Sequence, residues 1–168
     1  TVVDPYRWLE NWDDPEVKTW SEAQNTAARR VLEALPHVSE IRDRVTEIMT
    51  APTFSHFSLM PAGGKLFALK HQPPRQQPLL VVMASAAEPE TARVVVDPET
   101  INPDGTTTIN WFVPSPDGKL VAVSLAQGGS ESGDAHVFDV ATGRAVFEIV
   151  PGVYNGTGLG FLAWLPDS

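Results

Sequence analysis

The sequence predicts a mainly β fold that begins with an α-helical hairpin and continues as part of a β-propeller. Apolar residues recur at every third or fourth position before Pro52 and at about every second position after it. Glycine-containing turns then separate many short apolar segments. These segments repeat after about 50 residues, the length of one four-stranded propeller blade. We therefore divide the chain into a helical segment, residues 1-52, and a partial propeller, residues 53-168.

Two helices are predicted in the first segment. The first begins near Asp14, because an aspartate caps the free amides of a first helical turn and Pro15 fits that turn. Its apolar stripe continues until Pro36, and a second helix follows over about residues 39–50. The short link between them indicates an αα-hairpin, and each apolar stripe requires a partner surface.

Nine strands are predicted after Pro52, at residues 54–60, 65–70, 79–84, 93–97, 108–113, 119–126, 135–140, 145–149 and 159–165. Shifting the sequence by 54 residues aligns residues 64–69 with residues 118–123. The pattern is typical of two four-stranded blades plus the first strand of a third. A propeller closes with about four to eight blades, so we expect a piece of a longer chain. A β-sandwich with similar turns remains the alternative.

The sequence contains no arrangement typical of a catalytic centre. A serine nucleophile commonly lies in Gly-x-Ser-x-Gly between a strand and a helix, and this motif is absent. The serines nearest to glycines, Ser130 and Ser132, are predicted to lie in a hairpin loop between two strands. The four histidines are scattered without metal-binding spacing, and His56 and His136 alternate with apolar residues as ordinary strand residues do. We therefore predict no catalytic residue, no metal site and no cofactor.

Composition narrows the possible partners. The net charge of −9 disfavours binding to nucleic acids and to anionic membrane surfaces. The longest apolar runs are too short to cross a bilayer. The absence of cysteine excludes disulfides and thiolate sites, but it leaves cytoplasm and periplasm equally open.

The start of the chain resembles a known family. Residues 4–10, Asp-Pro-Tyr-Arg-Trp-Leu-Glu, are similar to the N-terminal motif of the prolyl oligopeptidase family of serine peptidases, and residues 14–20 extend the match. Residues 95–98 and 104–106 resemble the link between the first two blades of that family. The resemblance covers nearly the whole chain, and its first motif is specific.

The resemblance implies a two-domain hydrolase. In this family an α/β-hydrolase domain carries the serine, aspartate and histidine, and a seven-bladed propeller covers the active site. Only short peptides enter, and cleavage usually follows proline. The triad of this protein would then lie beyond Ser168, and the chain alone would be an inactive N-terminal fragment of a peptidase.

The resemblance also assigns partners and one binding residue. Residues 1-52 would pack on the missing C-terminal α/β-hydrolase domain, and the sheets would pack on the missing blades. Leu159 stands where the family often has an aromatic residue facing the substrate cavity, which makes it the one substrate-binding candidate. Without those partners the isolated chain is expected to self-associate. The alternatives are a non-catalytic propeller that serves as an interaction module and a catalytically dead relative.

Overall fold

The computed structural model describes residues 3–153 and 162–165. The chain forms two compact units, residues 1–50 and residues 51–168. The first unit is helical and the second consists mainly of antiparallel strands.

Both predicted helices are present in the first unit. Helix α1 spans Pro15–Glu33, and the Asp14 carboxylate accepts a hydrogen bond of 2.9 Å from the Glu16 amide, which is the predicted cap. Helix α2 spans Val38–Met49. A short 3-10 helix, Arg7–Glu10, precedes α1 and brings the Trp8 ring edge-to-face with Trp20, at 5.9 Å between centroids.

The apolar stripe of α2 is exposed. Its large apolar side chains at positions three and four apart are all more than half accessible to solvent: Ile41, Val45, Ile48 and Met49. Such a stripe is available for contact with a surface outside the described residues.

The second unit begins with a sheet of four antiparallel strands in chain order, here called the first sheet. Its strands are β1 (Ser55–Ala62), β2 (Lys65–His71), β3 (Leu79–Met83) and β4 (Arg93–Val96). Another 3-10 helix, Pro89–Thr91, precedes β4, and a short helix, α3 (Pro98–Ile101), follows it.

The second sheet contains three strands in chain order among the described residues. They are β5 (Thr107–Pro114), β6 (Leu120–Gln127) and β7 (Gly133–Asp139). One apolar core joins the two sheets, with Phe67, Leu80 and Val82 from the first and Val121, Val123 and Phe138 from the second. The apolar residues of the strands supply this core, and the short connections between consecutive strands favour the sequential order.

The prediction of a continuous strand at 145–149 was wrong. The outer segment, residues 144–153, follows β7 in the antiparallel direction but forms only two isolated bridges, Phe138 with Ala145 and Ala135 with Val150. The segment advances five residues between these bridges while β7 advances three. The extra residues disrupt the hydrogen-bond ladder, as they do at a β-bulge.

The predicted ninth strand is not supported either. Residues 162–165 form no strand, and residues 159–161, including Leu159, lie outside the described residues. The Trp164 indole nitrogen nevertheless donates a hydrogen bond of 2.9 Å to the carbonyl oxygen of Val113, so this segment lies beside β5. No helix within the described ranges is long and apolar enough to cross a bilayer.

Candidate functional site

The serine-rich loop and His136 line one pocket. Strand β6 ends at Gln127 and β7 begins at Gly133, so residues 128–132 form the predicted hairpin loop. Ser130 and Ser132 from this loop line a pocket of about 440 Å³ together with Asp134 and His136 of β7. The register that pairs Leu125 with Asp134 places these side chains on the same face of the second sheet.

This group does not form a catalytic triad. The Ser130 hydroxyl accepts a hydrogen bond from the Ser132 amide, and the Asp134 carboxylate accepts one from the Gly152 amide. Within the residues that the structure describes, neither serine hydroxyl is hydrogen-bonded to His136, and Asp134 is not hydrogen-bonded to it. A serine nucleophile requires a base within hydrogen-bond reach and a third group that orients that base. The pocket therefore lacks the contacts that activate a nucleophile.

Burial favours the uncharged form of the His136 imidazole. Removal from water lowers the pKa of its imidazole, and the neighbouring Asp134 carboxylate opposes this shift with a smaller effect. The ring is consequently neutral near pH 7. Its side chain is half-buried and stacks on Phe138, with 6.2 Å between ring centroids.

One wall of the pocket is formed by the end of a capped helix. The Asp97 carboxylate accepts a hydrogen bond of 3.0 Å from the Glu99 amide and begins α3, which ends at Ile101 in the pocket wall. The Arg75 guanidinium, in the β2–β3 loop, contacts Asp97 at 2.9 Å and Glu99 at 3.0 Å. The half-buried ion pairs therefore attach one loop of the first sheet to the link between the sheets.

The first strands of the two sheets carry a second candidate surface. Strands β1 and β5 contact each other, and the pairing of each shifts at one place, between Phe57 and Met60 in β1 and between Ile109 and Trp111 in β5. Such bulges redirect side chains and are frequent near functional sites. A cavity of about 240 Å³ lies here, and its lining includes Ser58, Asn110 and Trp111.

Two features distinguish this cavity of about 240 Å³. Ser58 adopts a φ of 53°, which is rare for a residue other than glycine. The indole nitrogen of Trp111, a residue that lines this cavity, is buried and has no hydrogen-bond partner. Neither feature was predicted from the sequence, although the polar residues Ser58 and Asn110 interrupt apolar strands and were a possible signal.

In the described ranges, 3–153 and 162–165, no three histidine, cysteine, aspartate or glutamate side chains lie close enough together to hold an ion. His56 lies on β1 with a lowered pKa, because burial and, to a smaller extent, the Lys70 ammonium disfavour its charged form. Leu159, the predicted substrate contact, lies outside the described residues, so its position stays a prediction.

The sequence matches known proteins along its length. A family model described as "Prolyl oligopeptidase, N-terminal beta-propeller domain" matches residues 1–168. The chain is 28% identical over 142 residues to the prolyl endopeptidase of Dictyostelium discoideum, covering 77% of this chain and 18% of that protein. It is 25% identical over 167 residues to the prolyl endopeptidase of Elizabethkingia miricola, covering 99% and 22%. The chain thus spans about a fifth of the length of these relatives.

The fold is also similar to that of solved prolyl oligopeptidase structures. A prolyl endopeptidase from a structural study of two such enzymes superposes with a TM-score of 0.78 at 29% identity, covering 90% of this chain and 22% of that one. Prolyl oligopeptidase B from Galerina marginata superposes with a TM-score of 0.70 at 19% identity, covering 89% and 23%, which shows a shared fold. The two meandering sheets therefore have the propeller arrangement rather than that of a sandwich, and the chain belongs to the N-terminal β-propeller domain family of prolyl oligopeptidases.

Proposed function

We propose that the chain is the N-terminal part of a prolyl oligopeptidase-like serine peptidase that hydrolyses short peptides after proline. The observation that carries this proposal is the family match along all 168 residues, supported by the 29% identity to a solved prolyl endopeptidase. The triad of the parent protein would lie beyond Ser168. The sheets of this chain would help to exclude large folded proteins from it.

The first and second sheets would be blades one and two of the parent propeller. The second sheet reaches four strands if the outer segment counts as its irregular fourth strand. In support, the Val146 amide donates to Val137, and Ala135 and Val150 exchange both of their backbone hydrogen bonds, at 2.8 and 3.0 Å. Residues 162–165 would then begin the third blade.

The helical segment 1-52 would dock on the α/β-hydrolase domain. The exposed apolar stripe of α2 supports this proposal, because a stripe of large apolar side chains is stable only when another surface covers it. By its position in the family pattern, Leu159 would face the substrate cavity of the parent.

A labelling experiment tests the assignment. The parent protein and the 168-residue chain are treated separately with a fluorophosphonate probe, and labelled serines are mapped by mass spectrometry. We expect one labelled serine in the parent, beyond residue 168, and none in the chain, because no described serine hydroxyl is hydrogen-bonded to a histidine. A labelled serine within residues 1–168 would refute the proposal. A parent without any labelled serine would indicate the dead relative or the interaction module instead.

Substrate assays test specificity and gating. The parent should release p-nitroaniline from a blocked Gly-Pro anilide much faster than from the matched Gly-Ala anilide. It should also cleave a short proline-containing peptide but not the same sequence within a folded protein. Equal cleavage of both anilides would contradict specificity for proline, and cleavage of the folded protein would contradict the gating role.

A further inference from the structure

The pocket beside the β6–β7 loop contains a buried hydroxyl without a partner. Thr107, the first residue of β5, is 2% exposed, and its Oγ1 atom makes no hydrogen bond. Buried hydroxyl groups are normally satisfied, and one left unpaired costs free energy. Thr107 lines the pocket of about 440 Å³, but its hydroxyl is inaccessible in this conformation, so a bound molecule reaches it after the side chain rotates about χ1.

The pocket carries one formal negative charge. Among the described residues that line it, Asp134 is the only aspartate, glutamate, lysine or arginine, and His136 is neutral near pH 7. Asp134 forms no ion pair with a cationic side chain among the described residues. Its carboxylate accepts a hydrogen bond of 3.0 Å from the Gly152 amide. The local field therefore favours a cationic group.

The remaining lining divides into a polar and an apolar part. Gln127 and the serine loop present amide and hydroxyl groups, whereas Ile101, Leu125 and Ile149 present branched aliphatic side chains. The volume lies in the usual range of small-molecule sites. A ligand that matches both parts has a charged, hydrogen-bonding head and a short aliphatic stem.

We propose that this pocket is a binding site for a primary alkylammonium group, with the ammonium held between the Asp134 carboxylate and the Thr107 hydroxyl. An ammonium has three N–H donors, and the carboxylate, the hydroxyl and the neutral imidazole of His136 are the nearby acceptors. The stem packs against Ile101, Leu125 and Ile149. The group belongs to a free alkylamine or to a lysine side chain, and the proposal does not depend on peptidase activity.

Nuclear magnetic resonance titration of the 168-residue chain with n-butylammonium tests this inference at constant ionic strength. We expect saturable shifts of the Thr107, Gln127 and His136 signals, and none with n-butanol, which has a similar stem but no charge. Absence of saturation, or an equal response to n-butanol, would overturn the proposal. A parallel titration with Nα-acetyl-lysine methylamide separates the two sources, because tighter binding of it indicates a lysine side chain and weaker binding indicates a free amine.

Two variants separate a built site from general attraction to an acidic protein. Asp134→Asn retains an oxygen that can accept from the Gly152 amide, and it should raise the Kd for n-butylammonium about tenfold or more. Glu131→Gln removes one negative charge from the adjoining β6–β7 loop, but Glu131 does not line the pocket, so the Kd of this variant should stay within about twofold. Equal weakening by both would overturn the proposal. Thr107→Val, a variant of similar shape, should weaken binding several-fold, and an unchanged Kd would exclude the hydroxyl from the site.

Discussion

The Gly63 amide in the β1–β2 turn donates a hydrogen bond of 3.1 Å to the carbonyl oxygen of Pro116 in the β5–β6 turn. A second hydrogen bond runs in the same direction, since the Lys65 ammonium donates to the carbonyl oxygen of Gly118 at 3.0 Å. The glycine turns that mark the sequence repeat therefore also join the first sheet to the second.

Gly63→Ala should destabilise the chain strongly, whereas Gly64→Ala should have a smaller effect. Both glycines have positive φ, 55° and 71°, so either alanine costs about 1–2 kcal/mol in backbone strain. A Cβ atom at Gly63 would also lie 2.0 Å from the carbonyl oxygen of Asp117, while one at Gly64 would meet nothing within 4 Å. We expect a loss of about 3 kcal/mol or more for Gly63→Ala in urea denaturation. Equal losses for the two variants would show that contact between the turns contributes little.

Asp117 should titrate far below an ordinary aspartate. The Lys119 amide, the Ser115 hydroxyl and the Lys119 side chain, in that order, lower the pKa of Asp117 to about 2. Because the folded-state pKa is depressed, the stability that Asp117 contributes is present above its ordinary pKa of 3.8 and is lost as the pH falls toward 2. Nuclear magnetic resonance titration should show this low value. Lys119→Gln keeps the amide donor and should raise it only slightly, so a return to 3.8 in that variant would contradict the order of causes.

The chain should lose stability as the pH falls through the ordinary histidine range. Burial lowers the pKa values of His56 and His136, so the unfolded chain binds protons at a higher pH than the folded chain does. The free energy of unfolding therefore decreases as the pH falls below about 6.5. Urea titrations from about pH 8 to about pH 5 should show this slope, and it should be smaller in the double variant His56→Gln, His136→Gln. An unchanged slope in that variant would assign the pH dependence to other groups.

Trp20 should contribute more stability in the parent protein than in this chain. In the described part of the chain its ring meets Trp8 edge-to-face at 5.9 Å, a contact worth about 1 kcal/mol. If Trp20 also packs on the hydrolase domain, Trp20→Ala should cost about 3–5 kcal/mol in the parent. Trp12→Ala is the matched control, because Trp12 is 61% exposed and forms no ring contact in the described part. A loss below about 1 kcal/mol for Trp20→Ala in the parent would contradict the docking of this segment.

Local chemistry accounts for the elements that were predicted well. The Asp14 cap with Pro15 determines where α1 begins, and alternating apolar residues with glycine turns determine seven strands. The same capping signature recurs at Asp97, Pro98 and Glu99, where it begins α3, a helix that the sequence analysis read only as a link. That helix was therefore predictable from a signal already used elsewhere in the chain.

Nonlocal pairing accounts for what was missed. The outer segment has a strand-like sequence. Its two bridges are five residues apart along the outer segment but three residues apart along β7, so a continuous ladder does not form. The pocket depends on two cross-strand pairs. Thr107 pairs with Gln127, far along the chain, and Leu125 pairs with Asp134 across the β6–β7 loop. Sequence periodicity indicates the face on which a residue lies, but it does not determine which residues become neighbours.

The isolated chain should self-associate at micromolar concentration. Apolar side chains are exposed at Leu59 on β1 and at Phe147 and Ile149 on the outer segment. Strand β1 and the outer segment each lie at the edge of a sheet, where backbone groups are available for pairing. Association through an open sheet face or through residues 159–165 would cover them, and a symmetric dimer closes on itself. Sedimentation velocity should therefore show species larger than 18.2 kDa. Phe147→Lys should shift the population toward monomer if the outer segment is the contact, whereas the neighbouring Glu148→Gln should not. A folded monomer at all concentrations would contradict the prediction, and a dimer unaffected by Phe147→Lys would place the contact elsewhere.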